Sequence, residues 1–453
     1  MAGQITRLQV SGHRFLARRM RHALVRADTR MLDDPLRAQG LSLSGGIVAA
    51  ALVVAVCVAM SVLRPAPAVD GAPIIVVPET ASLYVSVDAI LHPVPNLASA
   101  RLVTGSTDDP VKVSRQAVDR AERGPALGIP SAPTHLGRPL PPAEAHWTVC
   151  DDQRGVTTVL VGALSDREFA TRGGALVAVR GDATATYLLH GGQRSRVDLR
   201  LPAVVRALKL DGVTPREVSP TLLAALPEAP AITPPSIPAA GTPGPPALGD
   251  LTVGTVVAVP GADGPDHYVV LADGVQRIGS VTADLIRYSG AHTDHRIPAL
   301  TPDAVGRTPV RTTLPVHTHP DEAGVAQTRA LCVRWQTDGP PAVLHGDALP
   351  SSTPPIPLVQ ADDDGPAVDA VAVPAGRSVW VRSVGVTGIG SGSGPQFLVD
   401  DSGVVFGVAD DDAATRLGLT DAAVPAPWPI LSALPRGPEL SRSAASVPRD
   451  GPA

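Results

Sequence analysis

Lysine is almost missing from this chain. Of its 453 residues, only Lys112 and Lys209 are lysine. Neither follows a glycine loop, and a phosphate-cradling P-loop needs the order GxxxxGK[ST], so a P-loop is excluded. Other catalytic orders are lacking as well. The most glycine-rich stretch, GVTGIGSGSGP (385–395), has Ser393 where GxGxxG needs its last glycine. Neither of its serines has the flanking glycines of GxSxG, so it reads as a flexible loop between strands. The acidic clusters Asp362–Asp364 and Asp410–Asp412 lack the EF-hand ligand order and its terminal Glu, and read as solvated turns. His292 and His295 form one close pair. His317 and His319, with Asp321 and Glu322 nearby, form another. Zinc wants three or four converging ligands, so exposed loop histidines are the simpler reading. No Ser/His/Asp order and no paired-carboxylate pattern stands out, and no metal site or cofactor is expected.

Charge is absent from one stretch altogether. Between Ala38 and Leu63 there is no charged residue, and GGIVAAALVVAVCVAMSVL (45–63) is its apolar heart. About 20 residues at 1.5 Å rise cross the hydrocarbon core, and a helix satisfies its own backbone in lipid. A transmembrane helix is therefore expected over 41–63. Eight arginines precede it in residues 1–40, against Asp28, Asp33 and Asp34, whereas only Arg64 follows within twenty residues. The positive-inside rule puts this basic arm in the cytosol and residues 65–453 outside. A cleaved signal peptide is the competing reading, because Ala66-Pro67-Ala68 resembles a small-residue cleavage site. However, the basic region is too long and the apolar run exceeds the usual 7–15 residues.

The arm, SGHRFLARRMRHALVRADTRML (11–32), sets Phe15, Leu16, Met20, Ala23, Leu24, Ala27 and Met31 at helical spacing with arginines between them. Ser11 is the expected N-cap and Pro35 the expected stop. Arg14, Phe15, Arg18, Arg19, Arg21, Arg26 and Arg30 then face either anionic lipid or a cytosolic partner. The net charge of −5 leaves the exported part acidic, which argues against nucleic-acid binding.

Cysteine is scarce too. Cys57 falls in the membrane segment, which leaves Cys150 and Cys332 in the exported part. Two thiols in an oxidising space most simply pair, with about 5 kcal/mol of stabilisation for so long a loop on the chain-entropy model. Two unpaired buried thiols are the alternative.

What the exported part does have is proline and glycine, 48 and 43 residues, which favour short strands, turns and linkers over long helices. Similar units recur at Tyr187, Tyr268 and Phe397, with a shorter relative at Tyr84. Each has an aromatic-led strand and then a polar turn, usually with glycine (Gly191, Gly192, Gly274, Gly403). A second strand and an Asp- or Asn-led helical segment follow, with apolar spacing such as Val204, Val205 and Leu208, or Leu285 and Ile286. Such repetition builds interaction surfaces rather than a single pocket. The expected α+β layout is a cytosolic arm (1–40), a transmembrane helix (41–63), and a hinge with repeat 1 (64–105). The first part of a central β-rich domain follows (106–175), then repeat 2 (176–233), a Pro-rich linker (234–249) and repeat 3 (250–304). The second part of the central domain (305–380), repeat 4 (381–424) and a Pro/Ser-rich, surface-running or partly disordered tail (425–453) complete it. The exported region is expected to be elongated.

Several segments resemble the EccB family of type VII (ESX) secretion systems: QVSGHRFLARRMRHALVRADTRMLDDPLR (9–37), HWTVCDD (146–152), VVLADGVQRIGSVTADLIR (269–287), ALCVRW (330–335) and VPAPWPILSALPRGPELS (424–441). The resemblance spans nearly the whole chain, and His13 stands where the family arm often has an aromatic. It implies a subunit of an inner-membrane core complex, self-associating and partnered by EccC-type ATPase, EccD- and EccE-type subunits and a mycosin protease. It also implies a Cys150–Cys332 bond joining a central domain that carries four repeats. Some family members are labelled ATPases. A scaffold without activity of its own is the expected function. An ATP-hydrolysing subunit and a cell-wall-binding membrane protein are the alternatives.

Overall fold

A computed structural model describes residues 6–27, 35–63, 71–164, 169–170, 173–262, 264–290, 296–337, 339–388 and 392–450. It divides into two units, residues 1–68 and 69–453.

The first unit holds two helices, α1 (Arg7–Arg26) and α2 (Pro35–Leu63). Helix α1 starts a turn before the expected Ser11. Thr6 and Gln9 form a capping-box pair in which the Thr6 amide donates to Gln9 Oε1 at 3.1 Å. Ser11 instead sits inside the helix and donates to the Leu8 carbonyl at 3.1 Å. Ala27 ends α1 in the left-handed region, and Pro35 opens α2 rather than stopping α1. Proline is tolerated there because the first helical amides have no intrahelical acceptor to lose. Within α2, Gln39–Met60 is long and apolar enough to span a bilayer, and its apolar side chains are exposed all round.

In the second unit one topology occurs four times. In the second repeat, strands Ala175–Val179, Asp182–His190 and Gln193–Arg196 form an antiparallel meander. Helix Pro202–Ala207 crosses to strand Arg216–Val218, which pairs parallel with the first strand. A second helix, Pro220–Ala224, crosses back to Glu228–Ala229, parallel with the third. The same path runs through Ile74–Val77, Ser82–Val87, Ile90–Val94, helix Leu97–Thr104, Val111–Lys112, helix Arg115–Val118 and the Leu91–Arg123 bridge. It recurs from Val256–Gly261 to the Val275–Val310 bridge, and from Arg377–Val384 to the Val405–Arg436 bridge. The returning segments cover both edges of each meander, which would otherwise offer unpaired backbone groups. The expected hairpin-plus-helix is thus the middle of a larger unit. Asn96 and Asp410 do cap their helices, whereas Leu201 and Gly279 stand at that position in the other two repeats.

The repeats pack in pairs through their longer helices. In repeats 2 and 3, Val204 and Leu208 meet Val281 and Leu285. In repeats 1 and 4, Ala98 and Leu102 meet Ala413, Ala414 and Leu417. There Arg101 Nη1 donates to the Leu417 carbonyl at 3.2 Å, and Arg416 Nη1 donates to the Leu102 carbonyl at 3.4 Å. Each arginine thus satisfies an orphan carbonyl at the end of its partner helix. Gly105 and Gly418 end these two helices at positive φ, 73° and 83°. A Cβ on Gly105 would lie 2.8 Å from Arg416 Nη1, so a side chain there would displace the cap.

A six-stranded sheet lies between the pairs in sequence. Its order is Ala342–Gly346, Ala330–Trp335, Trp147–Asp152, Thr157–Val161, Ala370–Ala372 and Ile356–Pro357. It draws strands from both sides of repeats 2 and 3. Trp147 and Trp335 are fully buried in a core that continues into repeat 2 (Leu189, Leu222) and repeat 4 (Val381, Ile430). The 106–123 and 302–310 segments belong to repeats 1 and 3 rather than to this sheet. Residues 243–252 also fold back on repeat 3, through the Pro243–Thr252 bridge and buried Leu248, instead of forming a free linker.

The tail is the largest departure from expectation. Val424–Pro427 is the parallel return strand of repeat 4, and Trp428–Leu431 is a helix. Leu431, Leu434 and Leu440 are buried, and Pro448–Arg449 pairs with Ala126–Leu127. Proline is compatible with this strand because it lies at a sheet edge. Leu431→Ala should therefore cost about 2–5 kcal/mol, read by urea unfolding of the solubilised chain. Exposed Val359→Ala should leave the midpoint unchanged, and equal midpoints for both would contradict this packing.

Candidate functional site

Residues 147–152 and 330–335 pair antiparallel with Trp147 opposite Trp335 and Cys150 opposite Cys332. The two cysteines form a disulfide, with Cα atoms 4.0 Å apart across a sequence separation of 182 residues. Leu160, Leu344 and Ala372 surround it, and both cysteines are fully buried. The bond therefore closes the loop that contains repeats 2 and 3. Cys57 is exposed on α2.

Next to Cys150, strand alternation turns Asp151 to the opposite face, against repeat 2. Its Oδ2 accepts from the Ser219 amide at 2.6 Å and its Oδ1 from Ser219 Oγ at 3.0 Å. Ser219 Oγ also accepts from the Leu222 amide, capping the second helix of that repeat. Arg216 Nη2 donates to the Asp151 carbonyl at 2.6 Å, and its Nη1 to the Thr328 carbonyl at 2.9 Å. Burial pushes the Asp151 carboxyl above the usual carboxylate range, against the pull of the Ser219 hydrogen bonds. These polar groups hold repeat 2 to the braced sheet. The sequence reading missed all three residues, and the only signal was an acidic residue following a cysteine in an apolar strand.

The residues expected to carry contacts or chemistry lie apart. Arg14, Phe15, Arg18, Arg19 and Arg21 are exposed along α1. Arg26 lies in the helix without a described side chain, and Arg30 lies outside the described residues, as do His292 and His295. His319 Nδ1 is 2.9 Å from Thr282 Oγ1, and His190 Nε2 is 3.2 Å from Ser195 Oγ, at the seam of repeats 2 and 3. Burial, helped by His319 and opposed by Asp321, lowers His190 from 6.5 to about 4. Among the described residues no three His, Cys, Asp or Glu side chains converge as metal ligands. Asp369 grips the 362–364 turn, accepting from the amides of Asp362 and Asp363, while Asp410 caps a helix.

These features define a protein with, among the described residues, one candidate membrane span and a disulfide-braced body of paired repeats. The family model for the type VII secretion system ESX-1, transport TM domain B (EccB), matches residues 2–453. A Mycolicibacterium smegmatis protein named ESX-3 secretion system ATPase EccB3 is 36% identical over 99% of this chain and 91% of its own length. The Mycobacterium tuberculosis protein named ESX-2 secretion system ATPase EccB2 is 35% identical over 98% of this chain and 94% of its own. A chain of an intact ESX-5 inner membrane complex superposes with a TM-score of 0.70 at 31% identity, covering 100% of this chain and 97% of its own. A chain of an EccB3 dimer from the ESX-3 core complex gives 0.69 at 32%, covering 83% and 100%. The chain belongs to the EccB family of type VII secretion components.

Replacing Cys150 and Cys332 together with alanine should lower unfolding stability by about 2–5 kcal/mol, measured by urea titration against the same chain under oxidising conditions. Matching curves would mean the bond constrains nothing. For His190, whose value falls from 6.5 to about 4 on folding, the unfolded state binds more protons between those limits. Its stability contribution is complete above about pH 6.5 and is lost as pH falls toward about 4, at most about 3 kcal/mol. His190→Gln should flatten the fall in urea midpoint between about pH 7 and about pH 4.5. Parallel profiles would show that the buried imidazole does not resist protonation.

Proposed function

We propose that this chain is a structural, membrane-anchored subunit of an ESX secretion core complex, with its arginine-rich arm in the cytosol and its repeat-built body on the far side. The observation that carries this reading is the full-length likeness to chains solved within an ESX-5 inner membrane complex. The arginine asymmetry about Gln39–Met60 supports the orientation. On this reading EccC-, EccD- and EccE-type subunits and a mycosin protease are its neighbours. The exposed Arg14, Phe15, Arg18, Arg19 and Arg21 meet the cytosolic side of the assembly, and the chain needs no cofactor. A second copy is a further neighbour, by analogy with the EccB3 dimer. Energy for export then comes from another subunit.

The relatives' names favour a second reading, ATP hydrolysis by this chain. Against it stand the missing P-loop and the placement of both lysines. Lys112 lies on a two-residue strand at a sheet edge, and Lys209 lies just past a helix end at φ 55°. Affinity purification of the tagged chain from its native membrane separates the two readings. The scaffold reading expects membrane subunits to co-purify, the complex to fall apart when this chain is deleted, and no ATP turnover by the isolated chain. A complete complex without the chain would sink it. ATP turnover abolished by one substitution would establish the enzyme instead.

A further inference from the structure

A cavity of about 370 Å³ opens where repeat 2 meets the braced sheet. Its apolar wall is Leu176, Val325 and Leu331, and its polar wall is Arg180, Arg216 and His345. The two guanidiniums are held by carbonyls rather than carboxylates. Arg180 Nη1 donates to Gly365 at 2.6 Å, and Arg216 donates to Thr328, Asp151 and Arg329. Among the described residues neither forms an ion pair. Arg180 Nη2 is buried without a hydrogen-bond partner, and so is Nδ1 of His345, a side chain only 3% exposed. Asp151, the buried carboxylate nearby, has both oxygens engaged by Ser219. Of the remaining acids at the cavity, Asp152 is paired with Arg154 at 3.0 Å, and Glu217 and Asp364 are exposed. Burial lowers Arg216, with the Asp151 and Asp152 charges opposing and Arg180 adding to it, and burial lowers His345, with Arg216 adding to it.

We propose that this cavity binds a small organic anion, with its carboxylate or phosphate group against Arg180 and Arg216 and its apolar part on Leu176, Val325 and Leu331. Planar guanidinium forks match both oxyanions, a new acceptor satisfies the unpaired Arg180 N–H, and an apolar wall around few polar groups is the usual build of a small-molecule site. The function proposed above assigns nothing to this seam. An occupant there ties repeat 2 to the sheet that carries the disulfide.

The test titrates the full detergent-solubilised chain with phenylacetate, phenyl phosphate, inorganic phosphate and neutral phenylacetamide, read by calorimetry. At least one aromatic anion should bind about tenfold or more tighter than the amide, and binding should weaken with salt. A response to phenylacetate alone assigns a carboxylate ligand, and a response to phenyl phosphate alone assigns a phosphate. Arg180→Gln should weaken binding about tenfold, and Arg180→Lys, which keeps the charge without the fork, by less. Glu79→Gln, on an exposed turn of repeat 1 away from the cavity, should bind as the parent chain does. Thermal unfolding of the unsubstituted chain provides a check that needs no variant, since a ligand of the folded state raises Tm with concentration. No heat and no Tm response to either anion, or an Arg180→Gln chain that binds like its parent, overturns the proposal.

Discussion

The pairing of 147–152 with 330–335 is the constraint on which the rest of the repeat-built body depends. It joins strands separated by two whole repeats, so forming the ladder carries a loop-closure cost that its first contacts must meet. The Cys150–Cys332 bond removes part of that cost by restricting the unfolded chain rather than by adding contacts to the folded one. The apolar neighbours do the rest. Trp147 and Trp335 face each other in register and pass the burial on to repeat 2 and repeat 4 through one continuous core. With the central ladder closed, the order of the chain is nested. Repeats 2 and 3 lie inside the disulfide loop and pack on each other, and repeats 1 and 4 lie outside it and pack on each other.

Pairing solves a problem that each repeat has alone. A three-stranded meander with one short helix leaves apolar surface uncovered, and it exposes two edges. The returning segments cover the edges, and the neighbouring repeat's helix covers the apolar face. The Arg101–Leu417 and Arg416–Leu102 contacts show how closely the outer pair is matched, because each helix end supplies the donor that the other lacks.

The sequence made the periodic parts legible and hid the short ones. The span was readable because an uncharged run of that length has few other uses. The meander hairpins were readable because glycine marks their turns, as at Gly191, Gly192, Gly274 and Gly403. The return strands were not, because two to four residues carry no period, and prolines such as Pro425 and Pro427 read as linker until an edge position makes them acceptable. The same composition disguised the tail, whose Leu431, Leu434 and Leu440 are core residues set among prolines. At the arm, the cap lies at Thr6 because Gln9 three residues on returns the bond, whereas Ser11 has no such partner and bonds back into the helix. Asp151, Arg216 and Arg180 act only through contacts between distant segments, and no local pattern reports those.

How the ionisable groups are used bears on function more directly than any motif does. A catalytic carboxylate or histidine keeps an oxygen or nitrogen free to meet a substrate. Here two buried groups with shifted titration, Asp151 and His190, are engaged within the fold. Asp151 has both oxygens on Ser219, and His190 is pressed into the seam between two repeats. Their shifts arise from burial at joints, which is the alternative origin of perturbed titration outside active sites. A chain that spends its buried charge on joints between repeats is built to hold a shape across a membrane complex. The cavity at Arg180 and Arg216 is the place where that use of charge is left incomplete.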